Sequence, residues 1–349
     1  MVGDMLVAAM VGQRKIEMRR FPIPQIKPNE LLVKMKHCGV CGSDVHGFAS
    51  GGKLARIEND YFILGHEAAG EVVEIGSAVT GFSVGDLVAL EPGMTCGECE
   101  YCKKGLYNLC PNVVFRSANV DGMLSEYLAH PASLCFKLAP NMTTLQGALI
   151  EPLAVGLHGA ELAGAQLGMD AVVFGCGCIG LVTMLSLRAM GVSRIAMVDV
   201  MDIRLKKAKE LGADLTINSI QEDVVQVIAD WTNGRGTDVA LDASGSPIAI
   251  GKTEKVVKRA GTIVLVGNPS GPMTDEFSLA RFVNREITLK GVFRYRNLYP
   301  TAIQAVAAGT IPVEKVADKV FSFTNTQQAF DESLDHKDTL VKAVIEIEG

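Results

Sequence analysis

The sequence predicts an α/β protein with two cores, one mostly β and one wound around a parallel sheet. Three observations carry that expectation. The length, 349 residues, exceeds one ordinary domain and suits two. The residue pattern changes character near Gly147, and a glycine fingerprint follows at residues 175–180.

Up to about Ala148, the runs Glu30–Met35, Glu71–Ile75 and Asp86–Leu90 mix apolar and β-branched residues, with Gly65, Gly70, Gly76, Gly81 and Gly85 between them. That punctuation belongs to short strands and tight turns. Beyond Gly147, nearly all-apolar strand candidates stand at Ala171–Phe174, Arg194–Val198, Leu215–Ile217, Val239–Leu241, Thr262–Val266 and Thr288–Lys290. Helix candidates at Leu181–Met190 and Ile203–Leu211 separate several of them, and such alternation is the pattern of a parallel sheet covered on both faces. After Gly291 come a helix candidate at Pro300–Ala308 and a last strand at Leu340–Ile347, assignable to either core. The expected divisions are residues 1–147, 148–290 and 291–349.

Composition excludes several function classes. Lys plus Arg number 33 against 39 Asp plus Glu, a net charge of −6 with no basic block, so there is no surplus to condense onto a nucleic-acid backbone. Hydrophobic residues at 48% and charged residues at 21% exclude a disordered chain. The longest uncharged apolar run, Ala171–Leu187, has 17 residues and contains three glycines, whereas a membrane span needs about 20 apolar residues. The start of the chain has Asp4 and no early positive charge, so no secretory signal is read there and a cytoplasmic location is expected. Nine cysteines in that setting point to metal or buried thiols rather than disulfides.

Gly175-Cys176-Gly177-Cys178-Ile179-Gly180 fits G-x-G-x-x-G between a predicted strand and a predicted helix. The first glycine permits the tight turn, the second lets a pyrophosphate approach the backbone, and the third allows close helix–strand packing. Asp199 stands nineteen residues after Gly180, at the end of the next strand. A carboxylate there accepts hydrogen bonds from ribose hydroxyls and repels a 2′-phosphate, which favours NAD over NADP.

Cys96, Cys99, Cys102 and Cys110 form C-x2-C-x2-C-x7-C in a lobe expected at about 93–112. Four thiolates close a tetrahedron around Zn²⁺ and leave no position for substrate, so that site is structural. The second metal signal is not local: Cys41 lies in Cys38-Gly39-Val40-Cys41-Gly42-Ser43-Asp44-Val45-His46, His66-Glu67 follows, and Glu151-Pro152 comes much later. No spacing shows that these residues converge, and a lone Cys or His is ordinarily a packed core residue.

Taken together, Cys41 to His46, Gly65-His66-Glu67 with Gly70, the four-cysteine lobe, Glu151-Pro152-Leu153-Ala154-Val155, the glycine loop, Asp199 and Gly291-Val292-Phe293-Arg294-Tyr295 resemble the zinc-dependent medium-chain dehydrogenases, and among them the sorbitol and xylitol (polyol) dehydrogenases. The resemblance runs nearly end to end. It implies a GroES-like mostly-β catalytic domain with a Rossmann doubly wound domain inserted, the tail returning to the catalytic part, and a homo-oligomer, tetramer or dimer. It also implies two zinc ions per chain: a structural one on the four-cysteine lobe and a catalytic one in an interdomain cleft. Cys41 and His66 would hold the catalytic zinc, with Glu67 as third ligand and Glu151 approaching the metal or the substrate.

Zinc lowers the pKa of a bound alcohol, so that hydride can pass to the nicotinamide and a ketone results. Ser43 and His46 match the family's proton route to solvent; their plain alternative is turn capping. Arg294, Tyr295, Phe48 and Glu151 are the implied substrate contacts. Gly175, Gly177, Ile179, Gly180, Asp199, Arg204, Val266, Gly267, Asn268, Val292, Phe293 and Arg294 are the implied cofactor contacts. Three departures stand out. Gly47 replaces a tyrosine common in the family, Cys176 and Cys178 replace a small residue and a proline of the loop, and Arg296 beside Arg294 keeps a polyol phosphate open. The expected activity is an NAD-dependent interconversion of polyol and ketose. The alternatives are a butanediol-type secondary alcohol dehydrogenase and, more remotely, a non-catalytic nucleotide-binding protein.

Overall fold

Short strands joined by tight turns can pair only with antiparallel neighbours, and the first part of the chain does so. In the computed structural model, which describes residues 2–51, 60–269, 272 and 277–347, β1 (Asp4–Gly12) pairs with β2 (Lys15–Pro22) and β4 (Phe62–Ile63). A larger sheet holds β3 (Glu30–Gly39), β5 (Glu67–Ile75), β6 (Leu87–Leu90), β9 (Tyr127–Pro131) and β10 (Cys135–Lys137). Between them β7 (Gly93–Met94) and β8 (Val114–Phe115) form a separate two-stranded ladder.

Two strands are longer than the sequence pattern predicts. β3 continues to Gly39 and β5 begins at Glu67, because the added ends carry Lys36, His37 and Glu67, which give no apolar signal. Those ends matter most for the site, since their register sets Gly39 opposite Glu67.

The middle of the chain forms six parallel strands: β11 (Asp170–Phe174), β12 (Arg194–Asp199), β13 (Leu215–Asn218), β14 (Thr237–Asp242), β15 (Val257–Leu265) and β16 (Thr288–Gly291). Their order, β13-β12-β11-β14-β15-β16, is that of a doubly wound dinucleotide-binding sheet. The long apolar run at 171–187 is thus a buried strand, a turn and the helix Cys178–Ala189. β15 starts ahead of the predicted Thr262, with a register shift after its first pair and Ala260 at φ +53°; an irregular stretch of this kind hides from a period count.

The tail contributes the helices Tyr299–Ala307 and Thr326–Asp335, then β17 (Lys319–Ser322) and β18 (Ala343–Glu346). β18 runs antiparallel to β3 and parallel to β17, so the tail belongs to the first sheet. By compactness the units are Met1–Glu151 with Tyr299–Gly349, and Pro152–Leu298. Among the described residues no helix is long and apolar enough to cross a membrane.

Candidate active site

The β3–β5 register brings distant residues together. Cys41 stands two residues beyond Gly39, as the N-cap of the helix Gly42–Ser50, and His66 stands one residue before Glu67. A sulfur of Cys41, a ring nitrogen of His66 and a carboxylate oxygen of Glu67 lie within 4.8 Å of one another. A Cβ at residue 39 would sit 2.1 Å from Glu67 Oε2, so glycine there leaves the carboxylate its present place. His66 and Glu67 are buried, whereas Cys41 is half-exposed. One thiolate, one imidazole and one carboxylate form a three-donor set that leaves a fourth position on zinc open.

Several neighbours hold this set in place, and sequence reasoning assigned no role to Asp44, Ser117 or Lys342. Asp44, fully buried, accepts from Gly65 N at 3.2 Å and from Ser117 Oγ at 2.5 Å. Its Oδ2 lies 3.0 Å from His66 Nδ1. Burial opposes a charge on His66, but Asp44 and Cys41 outweigh it and raise the imidazole well above its usual range. Lys342, also buried, donates to Glu67 Oε2 and, at 3.0 Å, to Val40 O. Ser43 Oγ donates to Cys41 Sγ at 3.4 Å, and His46, one helical turn on, is exposed.

Glu151, buried in the first turn of the helix Ile150–Ala163, is not among the converging donors. It adds its charge to burial in raising the carboxyl of Glu91 to about 7, against a hydrogen bond from Tyr107. Phe48 is not available to a substrate: it is a core residue with no exposed area, its ring 5.3 Å from that of Phe330. Cys38 and Cys135 are buried thiols, and burial pushes the latter up to about 12.

The four lobe sulfurs also lie within 4.8 Å of one another. Cys110 Sγ is 3.5 Å and Cys102 Sγ 4.0 Å from Cys96 Sγ; sulfurs bound about 2.3 Å from one ion would be ~3.8 Å apart. Backbone N–H groups of Glu98 and Cys99 pull the Cys96 thiol down to about 6, which favours the thiolate a metal needs.

In the second unit the glycine loop joins β11 to the helix Cys178–Ala189. Gly175 has φ +95°, a Cβ on Gly180 would lie 1.8 Å from Gly175 O, and Gly177 at the helix N-cap faces open space. Asp199 accepts from Cys176 N at 2.7 Å through one oxygen, and from Val200 N and Met201 N at 2.8 and 3.0 Å through the other. A hollow of about 350 Å³ opens here, lined by Gly175, Asp199, Arg204, Ser244, Ile248 and Lys252. Asp242, missed from sequence, shapes its far wall by binding Ser244 and Gly245. A Cβ on Gly267 would meet Gly245 N at 2.3 Å, and Val266 and Gly267 both donate to Asp242 O. Ile179 is half-buried and Asn268 exposed.

Cys176 is fully buried, and burial with Asp199 nearby pushes its thiol up. It is therefore a poor nucleophile. Val292 N donates to Leu265 O, and Phe293 is half-exposed with the Arg294 guanidinium 4.7 Å over its ring. Arg294 sits at φ +55°, while Tyr295 is buried. Arg296 points at His158, Nη1 to Nε2 3.5 Å; burial and this arginine lower that histidine to about 4. The cation expected to keep a phosphate open is thus engaged inside the unit.

Residues 27–140 match the alcohol dehydrogenase GroES-like domain and residues 178–308 the zinc-binding dehydrogenase family. The chain belongs to the zinc-dependent medium-chain dehydrogenases. It is 36% identical to the sorbitol dehydrogenase of Bacillus subtilis over 98% of this chain and 97% of that one. Its fold matches ECK1772 of Escherichia coli, an oxidoreductase/dehydrogenase of unknown specificity, with TM-score 0.95, 38% identity and coverage of 99% and 100%. A protein of Sinorhizobium meliloti 1021, bound to NADP in its crystal structure, matches with TM-score 0.91, 28% identity and coverage of 99% and 100%. As in the family, the architecture is a GroES-like part and a Rossmann part, and the class is that of the zinc-dependent alcohol/polyol dehydrogenases, which act on small molecules.

Proposed function

We propose that this dehydrogenase oxidises a polyol to a ketose with NAD and carries two zinc ions, one on Cys96, Cys99, Cys102 and Cys110 and one on Cys41, His66 and Glu67. The observation that carries the reading is the mixed thiolate–imidazole–carboxylate set, built by strand register around a glycine that only Glu67 explains. A zinc ion held there supplies the Lewis acidity that lowers the pKa of a substrate hydroxyl. Ser43 takes the hydroxyl proton and His46, exposed on the next turn, passes it to water. Glu151 accepts a hydrogen bond from a neighbouring hydroxyl, and Arg294 contacts one further along. Gly177 leaves backbone N–H groups open to the pyrophosphate, and Asp199 holds the ribose diol.

A diol of the butanediol type is the second reading. Gly47 offers no hydroxyl, while Phe48 and Tyr295 are buried, so fewer groups remain to satisfy a long polyol. The exposed edge strand β16, with Leu279 and Val283 exposed on the preceding helix, supports a homo-oligomer, and a cytoplasmic location fits nine free thiols. Purified enzyme offered pentitols, hexitols, polyol phosphates and vicinal diols, with reduced nicotinamide followed by absorbance, tests the reading. Turnover of diols alone would overturn the polyol assignment, and no turnover of any alcohol would overturn the enzyme.

A further inference from the structure

The two metal groups of the first unit are joined by a short piece of chain. β7 and β8 close the base of the four-cysteine loop, Gly93 pairing with Phe115 and Met94 with Val114; Arg116 N then donates to Pro92 O at 3.1 Å. From this base the chain turns straight to the open site. Phe115 meets the His66 ring edge-on, centroids 5.4 Å apart. Ser117, 1% exposed, donates to one oxygen of Asp44, whose other oxygen faces His66 Nδ1.

Ser117 holds φ +64°, a left-handed backbone that a non-glycine residue keeps only where its surroundings over-determine it. Its N–H donates to Val120 O at 2.9 Å. We propose that Ser117 is a positioning residue for His66, acting through Asp44, and that metal in the four-cysteine lobe tightens the hold of the open site on its own metal by fixing the strand that leads into the Ser117 turn. The inference rests on the two-metal reading above.

The physical argument is one of freedom removed in steps. A carboxylate swings broadly about its last torsion. With one oxygen tied to Ser117 and the other to Gly65 N, the carboxylate keeps its second oxygen against His66 Nδ1 and leaves the far ring nitrogen to the metal. Outer partners of this kind change metal affinity 10–100-fold. The short strand leading to Ser117 pairs with β7 through two residue pairs, extended by Arg116 N to Pro92 O, and Arg116 also donates to Asp121 O and Ala129 O, so the four-cysteine loop and the Ser117 turn share one short base. A metal cross-linking Cys96 to Cys110 ties the loop above that ladder.

The test is zinc release from purified protein to a chromogenic chelator, with the open-site phase identified as the one that Cys41→Ser abolishes. Ser117→Ala removes the hydroxyl and keeps the Cβ, and Ser117→Gly also relieves the backbone. Both should speed the open-site phase about tenfold while the lobe phase stays put. Cys99→Ser, which weakens the lobe, should speed the open-site phase as well. An open-site phase unchanged in both Ser117 variants overturns the proposal alone. Wild-type protein with no open-site phase overturns the two-metal reading and this proposal with it.

Discussion

Lys342 and Glu67 form an ion pair from which water is excluded, their side chains 2% and 1% exposed. Breaking one partner of such a pair leaves an uncompensated buried charge and costs roughly 3–5 kcal/mol. Lys342→Met should therefore destabilise metal-free protein strongly and metal-loaded protein less, because a bound cation takes over the neutralisation of Glu67. Denaturant titrations with and without chelator measure both. Equal losses would mean that Glu67 serves Lys342 and no metal.

Unequal lability is expected of the two zinc ions. The lobe closes four sulfurs around its ion, whereas the three-donor site keeps an exchangeable position. Mild chelation should abolish activity before it unfolds the protein, with one of two ions lost. Elemental analysis finding one zinc or none in fully active enzyme would refute this.

Glu91 ties stability to pH. Its carboxyl titrates near 7 in the folded chain against an ordinary value of 4.5, so the folded state holds the proton longer than the unfolded one. The resulting stabilisation is complete below the ordinary value and is lost as pH rises towards 7. Glu91→Gln cannot lose a proton, so its melting temperature should gain on wild type between about pH 5 and pH 8. Parallel profiles across that range would place the carboxyl in water.

These residues show where the sequence was readable. The glycine loop and the four cysteines are local, and their spacing maps directly onto backbone shape or a tetrahedron. Cys41, His66 and Glu67 meet only through the β3–β5 register, which spacing does not encode, and family resemblance alone pointed to them. Lys342 lies 275 residues from its partner and Ser117 lies 73 from Asp44, so no window reveals either. Phe48 misled because a sequence position beside a candidate proton relay does not tell which way a helix faces.

Asp199 should decide the cofactor. Replacing it by alanine removes two acceptors from the ribose and the repulsion of a 2′-phosphate, so kcat/KM for NAD should fall at least about tenfold, the size of one lost hydrogen bond to a charged group, while NADP improves relative to it. Equal wild-type kcat/KM for the two cofactors would show that the ribose is read elsewhere, with Arg204 the nearest candidate in the hollow.

Arg294 should matter in proportion to substrate length. Arg294→Ala is expected to cut kcat/KM for a pentitol or hexitol about 10–100-fold and to change little for a simple secondary alcohol. The same loss on both would assign Arg294 to the cofactor or to its stack on Phe293.

Because β18 pairs with β3 and Lys342 stands just ahead of it, the first sheet waits for a strand that synthesis delivers only after the whole of Pro152–Leu298. The stretch Pro152–Leu298 is contiguous, and contiguous domains generally fold as units during synthesis, ahead of a unit that needs β18. During that interval Glu67 waits for its counter-ion. Synthesis interrupted before Lys342 therefore leaves Glu67 buried without its cation, so a segment made late governs the charge balance of one made early.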